Sequence, residues 1–119
     1  MQDQDLQVLL PIASDIVSLD LTNSKITDQG ISSIMKFSNL KKLILEGSSG
    51  LTTSGIENLK DLSRLEYLNL IHIKLDDSLI DVLIGMQSLR QVYLFKTEVS
   101  EEAVSRFKAA RPKVFVNAG

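Results

Sequence analysis

Cysteine is absent from this chain, and its absence removes disulfides, thiolate metal sites, haem attachment through a Cys-x-x-Cys-His motif and cysteine nucleophiles together. An excess of one charge is missing too. Thirteen basic against fifteen acidic side chains leave a net charge of −2, too balanced for a surface built around nucleic acid or anionic lipid. No apolar run approaches the roughly 20 residues that cross a bilayer. The start, "MQDQDLQVLLPIASD", has acidic and no basic residues ahead of its short apolar patch, the wrong flank for a secretory signal. No glycine-rich phosphate loop is present, because Gly30 and Gly55 stand alone and Gly47 and Gly50 share one turn. Aromatic residues make up only 5% of the chain, so the place where they gather carries information.

What the chain has in abundance is leucine and isoleucine in a repeating frame. Four segments align from a paired L-x-L: "LDLTNSKITDQGISSIMKFSNLKK", "LILEGSSGLTTSGIENLKDLSRLEY", "LNLIHIKLDDSLIDVLIGMQSLRQ" and "VYLFKTEVSEEAVSRFKAARPK". Leu19, Leu43, Leu68 and Val92 are 24, 25 and 24 residues apart, and "VFV" at Val114 starts a shorter fifth copy. Each unit holds two periods. Leu19 and Leu21, Leu43 and Leu45, Leu68 and Leu70, Val92 and Leu94 alternate as a strand does. Ile31, Ile34 and Phe37, then Ile56, Leu59 and Leu62, then Ile80, Leu83 and Met86, then Val104, Phe107 and Ala110 follow at helical spacing.

Helix starts fall at Thr27, Thr52, Asp76 and Ser100, each after an apolar residue and each able to accept from free backbone N–H groups. Asp28, Asp77, Glu101 and Glu102 then occupy first turns, where the helix dipole favours them. That placement accounts for the paired carboxylates without a general acid and base.

"LKKLILEGSSGLTTSGIENL" and "LRQVYLFKTEVSEEAV" resemble leucine-rich repeats, with the L-x-x-L-x-L pattern running from Leu40, Leu65 and Leu89. The resemblance implies an α/β solenoid with a curved parallel sheet on its concave side and helices on its convex side. Where many such repeats carry Asn or Cys after the strand, this chain has Ser24, Ser48, Ile73 and Thr97, a weakened polar ladder broken at Ile73. "LLPIASDIVSLDLTNSKITDQGI" and "LRQVYLFKTEVSEEAVSRFKAARPKVFVNAG" are similar to the terminal leucine-rich module of bacterial membrane-anchored proteins that also carry a planctomycete-type cytochrome c domain. That likeness implies the periplasmic side of a bacterial membrane, and as partner another domain of the parent or an envelope protein.

The expected organisation is a helical cap over residues 1–18, four repeats over 19–113 and a terminal strand and tail over 114–119. Leu6, Leu9, Leu10, Ala13 and Ile16 read as the capping half-repeat, bent or ended by Pro11. Pro112 stops the last helix, and Val114 to Val116 read as an open edge strand that invites pairing with another chain, with Lys113 to discourage it.

Alternation places the remaining strand residues on the concave sheet. Ser18, Asp20 and Thr22, then Lys42, Ile44 and Glu46, form an ordinary solvated face. Tyr67, Asn69 and Ile71, then Gln91, Tyr93 and Phe95, then Lys113, Phe115 and Asn117 do not. Cross-strand aromatic pairs stabilise sheets by about 0.2–1 kcal/mol each, but stability does not require them to collect at one end, and a collected patch marks a contact surface. Ile44, Tyr67, Ile71, His72, Tyr93, Phe95 and Phe115 are therefore the expected protein-binding residues. Ile73 turns inward as core. His72 has no second histidine or cysteine for a metal site, and Asp76, Asp77 and Ser78 beside it open a helix, so it reads as a rim residue. Arg106, Lys108, Arg111 and Lys113 suit the negative end of the last helix better than a nucleic-acid surface.

The sequence thus points to a non-enzymatic module without cofactor or metal, binding a protein or peptide and neither nucleic acid nor membrane. The alternative is an assembly element that associates with itself through its edge strand or its patch. A ubiquitin-ligase type of adaptor is disfavoured, because no docking segment precedes the repeats.

Overall fold

The computed structural model describes residues 1–118. Helix α1 (Asp3–Gln7) and a 3-10 segment (Leu10–Asp15) precede strand β1 (Ser18–Asp20). Then follow α2 (Asp28–Ile34), β2 (Lys42–Ile44), α3 (Thr53–Glu57) with a 3-10 extension (Asn58–Asp61), and β3 (Tyr67–Asn69). The chain ends with α4 (Leu79–Ile84), β4 (Gln91–Tyr93), α5 (Glu101–Ala110) and β5 (Phe115–Asn117). The strands form one parallel sheet in chain order, and the molecule is elongated, 40 × 24 × 19 Å. This is the leucine-rich solenoid expected from the repeat.

Each repeat is fastened to the next through its backbone. Leu21 N–H donates to the Ile44 carbonyl at 2.8 Å, Leu45 to Asn69 at 2.9 Å, Leu70 to Tyr93 at 2.9 Å and Leu94 to Asn117 at 2.7 Å. Beyond the strands the same step recurs, from Asn23 to Glu46, Gly47 to Ile71 and His72 to Phe95. Apolar columns fill the space behind the sheet. Leu43, Leu68 and Val92 align in register and are fully buried, as are Ile31, Ile56 and Ile80 from the helices. Ser24 and Ser48 hydroxyls meet at 2.9 Å inside the first turn, and Ile73 takes the next place at 0% exposure. An apolar side chain there leaves no hydroxyl to satisfy, and Thr97 turns its own hydroxyl to the Leu94 carbonyl at 2.8 Å.

The acids at the helix entries do more than complement a dipole, and Asp77, expected in a first turn, in fact lies two residues before α4. Asp3 accepts from the Thr27 N–H at 2.7 Å and hydroxyl at 2.6 Å, Asp28 from the Thr52 N–H at 2.9 Å and hydroxyl at 2.5 Å, and Asp77 from the Ser100 N–H at 2.7 Å and hydroxyl at 2.8 Å. One carboxylate therefore clamps the cap residue of the following helix. Where the acid is replaced by Thr53, a single bond remains, from Asp76 N–H to Thr53 Oγ1 at 3.1 Å. The clamp also explains Gly30 and Gly55, since a Cβ at either would collide with the carboxylate of Asp3 or Asp28 respectively. Hydrogen bonds from Ser100 backbone and side chain hold the Asp77 carboxyl below the usual carboxylate range.

Several local features differ from the sequence-based expectation. Thr27, Thr52 and Ser100 cap their helices, whereas Asp76 accepts from Ser78 in a turn and α4 starts only at Leu79. A carboxylate that closes a bond two residues on forms its own turn in place of a cap. The capping segment is not one helix: α1 stops at Gln7 and a 3-10 segment with Pro11 in its first turn completes it. Ala110 is exposed where Phe37, Leu62 and Met86 are buried. Those three lie past their helices in turns that curl inward, while α5 runs straight to Ala110. The fifth strand is Phe115–Asn117, with Val116 beside Val92. Val114 had been read as the repeat start because it is the nearest alternating apolar residue, but the 24-residue step from Val92 lands on Val116. Lys113 consequently precedes the strand and does not belong to the sheet row.

The residue closing each strand turn is left-handed: Asn23 at φ 55°, Gly47 at φ 74°, His72 at φ 61° and Lys96 at φ 59°. Side chains with a Cβ are strained there by about 1–2 kcal/mol. We expect His72→Gly to leave the unfolding free energy unchanged or raise it by up to about 1 kcal/mol, and His72→Val to lower it, in urea melts. Asp28→Ala is expected to cost about 1–2 kcal/mol, while Glu101→Ala, the corresponding position of the last helix, changes little. Because the Asp77 carboxyl is depressed in the folded state, its contribution is present above its unfolded pKa and is lost as pH falls through the lower folded value. Stability should accordingly decline below about pH 4, and less steeply in Asp77→Asn.

Candidate functional site: the aromatic end of the concave sheet

Register defines rows on the concave face. Ser18, Lys42, Tyr67, Gln91 and Phe115 form one row, and Asp20, Ile44, Asn69, Tyr93 and Asn117 the next. Ile71 and Phe95 continue β3 and β4 just past their strand ends. At the polar end, Asp20 accepts from the Thr22 N–H at 3.0 Å and hydroxyl at 2.6 Å. These bonds hold the Asp20 carboxyl below its ordinary range, Thr22 hydroxyl first and backbone second.

The aromatic residues form a run across the strands. The Tyr67 and Tyr93 ring centroids are 5.1 Å apart and inclined by 39°, and Tyr93 and Phe115 are 5.8 Å apart and inclined by 55°. Both are tilted geometries in the favourable range for ring pairs. The Lys42 ammonium lies 4.6 Å from the Tyr67 centroid, closing the run on its far side, and the Lys96 ammonium lies 5.4 Å from the centroid of Phe95. Burial raises the Tyr67 phenol pKa, with the neighbouring Tyr93 second. Tyr93 hydroxyl donates to Gln91 at 3.3 Å.

Each expected site residue has a definite place. Tyr67 and Tyr93 are the half-buried rings of the run, and Phe115 at 53% exposure is its solvent-facing end; Phe95, 42% exposed, stands past the end of β4 with no described ring contact to the run. Ile71 is half-buried beside Phe95, and Ile44 is half-buried in the Tyr93 row with Asn69 between them. His72 is exposed on the left-handed turn, so its position is set by backbone geometry and no described ring contact joins it to the run. Among the described residues no group of three or more acidic or histidine side chains is placed to hold a metal ion, and no helix is long and apolar enough to cross a membrane.

Two features of the site were not legible as contacts. Asn69, buried to 7% exposure, donates from Nδ2 to Glu46 at 3.2 Å and accepts from the Ile71 N–H at 2.9 Å. It fixes the peptide that carries Ile71 and bridges β2 to β3. The two lysine–ring contacts were missed as well, although Lys42 one repeat before Tyr67 and Lys96 next to Phe95 are visible in the sequence once the rows are known.

No protein-family model and no curated protein sequence matches the chain. Among solved structures, an internalin from Listeria monocytogenes superposes with a TM-score of 0.73 at 22% sequence identity, over 98% of this chain. The chain spans 35% of that protein's length. Nothing in these comparisons links the chain to cytochrome c proteins. At this identity the likeness concerns architecture: the fold is a leucine-rich-repeat solenoid.

Proposed function

We propose that the protein is a non-enzymatic interaction module that binds a protein or peptide on the aromatic end of its concave sheet. The observation that carries this reading is the run Tyr67–Tyr93–Phe115, with ring spacings of 5.1 and 5.8 Å, whose end member Phe115 is exposed, as is Phe95 past the end of β4. A purely structural stack covers its rings. Here Phe95 and Phe115 spend apolar area on water, and burying such area against a partner is favourable by roughly 25 cal/mol per Å². The solenoid frame supports the reading as well, since repeat sheets offer extended concave binding surfaces. By sequence resemblance, the proposed parent is a bacterial envelope protein of the cytochrome-c-bearing kind, and the proposed partner another of its domains or an envelope protein.

Phe95→Ser with Phe115→Ser is the informative variant, because both side chains are exposed and neither is wedged between two rings. Tyr93→Ser removes the central ring and is expected to lower stability by about 1 kcal/mol or more. Affinity capture from an envelope extract should retain a protein on the wild type and lose it on the double variant, with thermal melts unchanged. Equal capture by both would remove the patch from the binding surface.

A second reading, self-association, has its own observation. Residues 1–20 contain Asp3, Asp5, Asp15 and Asp20 and no basic residue, whereas residues 103–119 contain Arg106, Lys108, Arg111 and Lys113 and no acidic one. Strands β1 and β5 are the sheet edges at these two ends, and an edge strand accepts another strand. Asp15 stands just before β1 and Lys113 just before β5, side by side if the edges pair in parallel. Under this reading the weight-average mass in light scattering rises with protein concentration, falls with added salt, and stays monomeric in Lys113→Glu.

A further inference from the structure

Resting on the binding reading above, we propose that the segment this face takes is an acidic peptide, in which carboxylate side chains flank a short apolar stretch. The chain as a whole is acidic, at −2, but the surroundings of the aromatic run have the opposite sign. Lys42 and Lys96 lie over ring faces. Arg90 precedes β4 and Lys113 precedes β5, both exposed, flanking Gln91 and Phe115, which are neighbours in the sheet. Among the described residues none of these four cations has a carboxylate within ion-pair distance, while Lys60, Lys74 and Arg106 each have one, in Glu57, Glu98 and Asp81. Other cations, Lys36 and Lys108 among them, also lack an ion pair; what sets Arg90, Lys96 and Lys113 apart is that they gather around the exposed rings of the last two strands.

A cleft of about 580 Å³ opens where Arg90 and Lys113 meet, with Leu89, Pro112 and Val114 among its walls. Its third cation is engaged: Arg111 donates to the carbonyls of Ile84, Met86 and Gln87 at 3.1, 2.9 and 3.2 Å. That fastening leaves Arg90 and Lys113 as the other cations of the lining, Lys113 two residues before Phe115 and Arg90 on the neighbouring segment, where its carbonyl accepts from the Phe115 N–H at 2.8 Å. Successive side chains of an extended peptide point to opposite sides, and alternate ones lie about 7 Å apart. Apolar residues seated along the ring run would therefore direct the intervening side chains away from it, so the acids that meet the basic flanks are those at the ends of the seated stretch, where charge complementarity gives register and rate of encounter.

Acidic groups do share the face. Asp20 is tied to Thr22, Glu46 accepts from Asn69, and Glu66 stands at the entry to β3. Interleaved with the basic flank, they oppose a continuous phosphate backbone more than a peptide whose charges are spaced, which favours peptide over single-stranded nucleic acid despite the aromatic run.

The test is selection from a random-peptide display library on the wild-type protein, followed by anisotropy titration of an enriched peptide against three variants: Phe95→Ser with Phe115→Ser, Arg90→Gln with Lys113→Gln, and the remote control Lys60→Gln. The proposal expects peptides in which Asp and Glu flank a short apolar stretch. Their affinity should fall about tenfold or more in the aromatic and in the Arg90, Lys113 variants, hold in Lys60→Gln, and weaken with salt. Neutral or basic peptides that need the phenylalanines but ignore Arg90 and Lys113 would overturn the acidic preference and leave the binding surface standing. Absence of any peptide dependent on Phe95 and Phe115 would overturn both. Tighter binding of a labelled oligothymidine than of the selected peptides, sensitive to the same variants, would replace the peptide by a nucleic acid.

Discussion

Every repeat of this protein hangs on the carbonyls of the next, and that parallel hydrogen-bond step is what the rest of the structure depends on. A single unit has a strand of three residues and a helix of five to ten, too little to bury its own leucines or to stand as an isolated helix. Stacked in register, the leucines become columns with no exposed side. The helical edge is locked by the same period, because Asp3, Asp28 and Asp77 reach one repeat ahead to the cap residues Thr27, Thr52 and Ser100. Two ladders, one of amides on the sheet and one of carboxylates at the helix starts, confine the apolar layer between them. A change in spacing must break both, and the one-residue insertion in the second repeat is accommodated in the "EGSSG" turn, before the next clamp.

This arrangement frees the concave residues from packing duty. Their backbone is fixed by neighbours on both sides, so a side chain in these rows is chosen for what it presents. The first strands present short polar groups that satisfy one another, as Asp20 and Thr22 do. The later strands present rings. Left-handed residues at the strand ends, His72 and Lys96 among them, turn the chain away from the sheet and leave Ile71 and Phe95 as the last side chains on the face.

The sequence made the architecture legible because period and burial have the same cause: a column needs an apolar residue every 24 or 25 positions, and Leu19, Leu43, Leu68 and Val92 supply it. It failed where local pattern and global period disagreed. "VFV" satisfies strand alternation at Val114, yet the sheet register selects Val116. Asp76 has the chemistry of a cap but folds back on Ser78. Of the carboxylate clamp, Asp28 and Asp77 were visible only as first-turn acids, for which a dipole explanation was sufficient; the telling signal was an acid recurring 24, 24 and 23 residues before Thr27, Thr52 and Ser100, with Gly30 and Gly55 clearing the space. Of the proposed binding residues, membership of the row could be read from alternation. The ring geometry, the lysine contacts and the partly buried state of Tyr67 and Tyr93 could not, because they depend on how neighbouring strands share the curve.

Exposure within the patch is graded, and under the proposed function the grading separates structural from recognition roles. Tyr93 is held between Tyr67 and Phe115, so its rotamer is restrained before any partner arrives and little ordering cost remains for binding. Phe95 and Phe115 sit at the border with 42% and 53% of their surface in water and supply the area a partner can remove. A rigid centre with an open border is the arrangement in which a few residues dominate affinity. Under the acidic-peptide proposal the cations beside it decide which chains stay, because an acid brought into this border meets Arg90 and Lys113, which among the described residues have no carboxylate within ion-pair distance, whereas a lysine brought there loses hydration without gaining a partner.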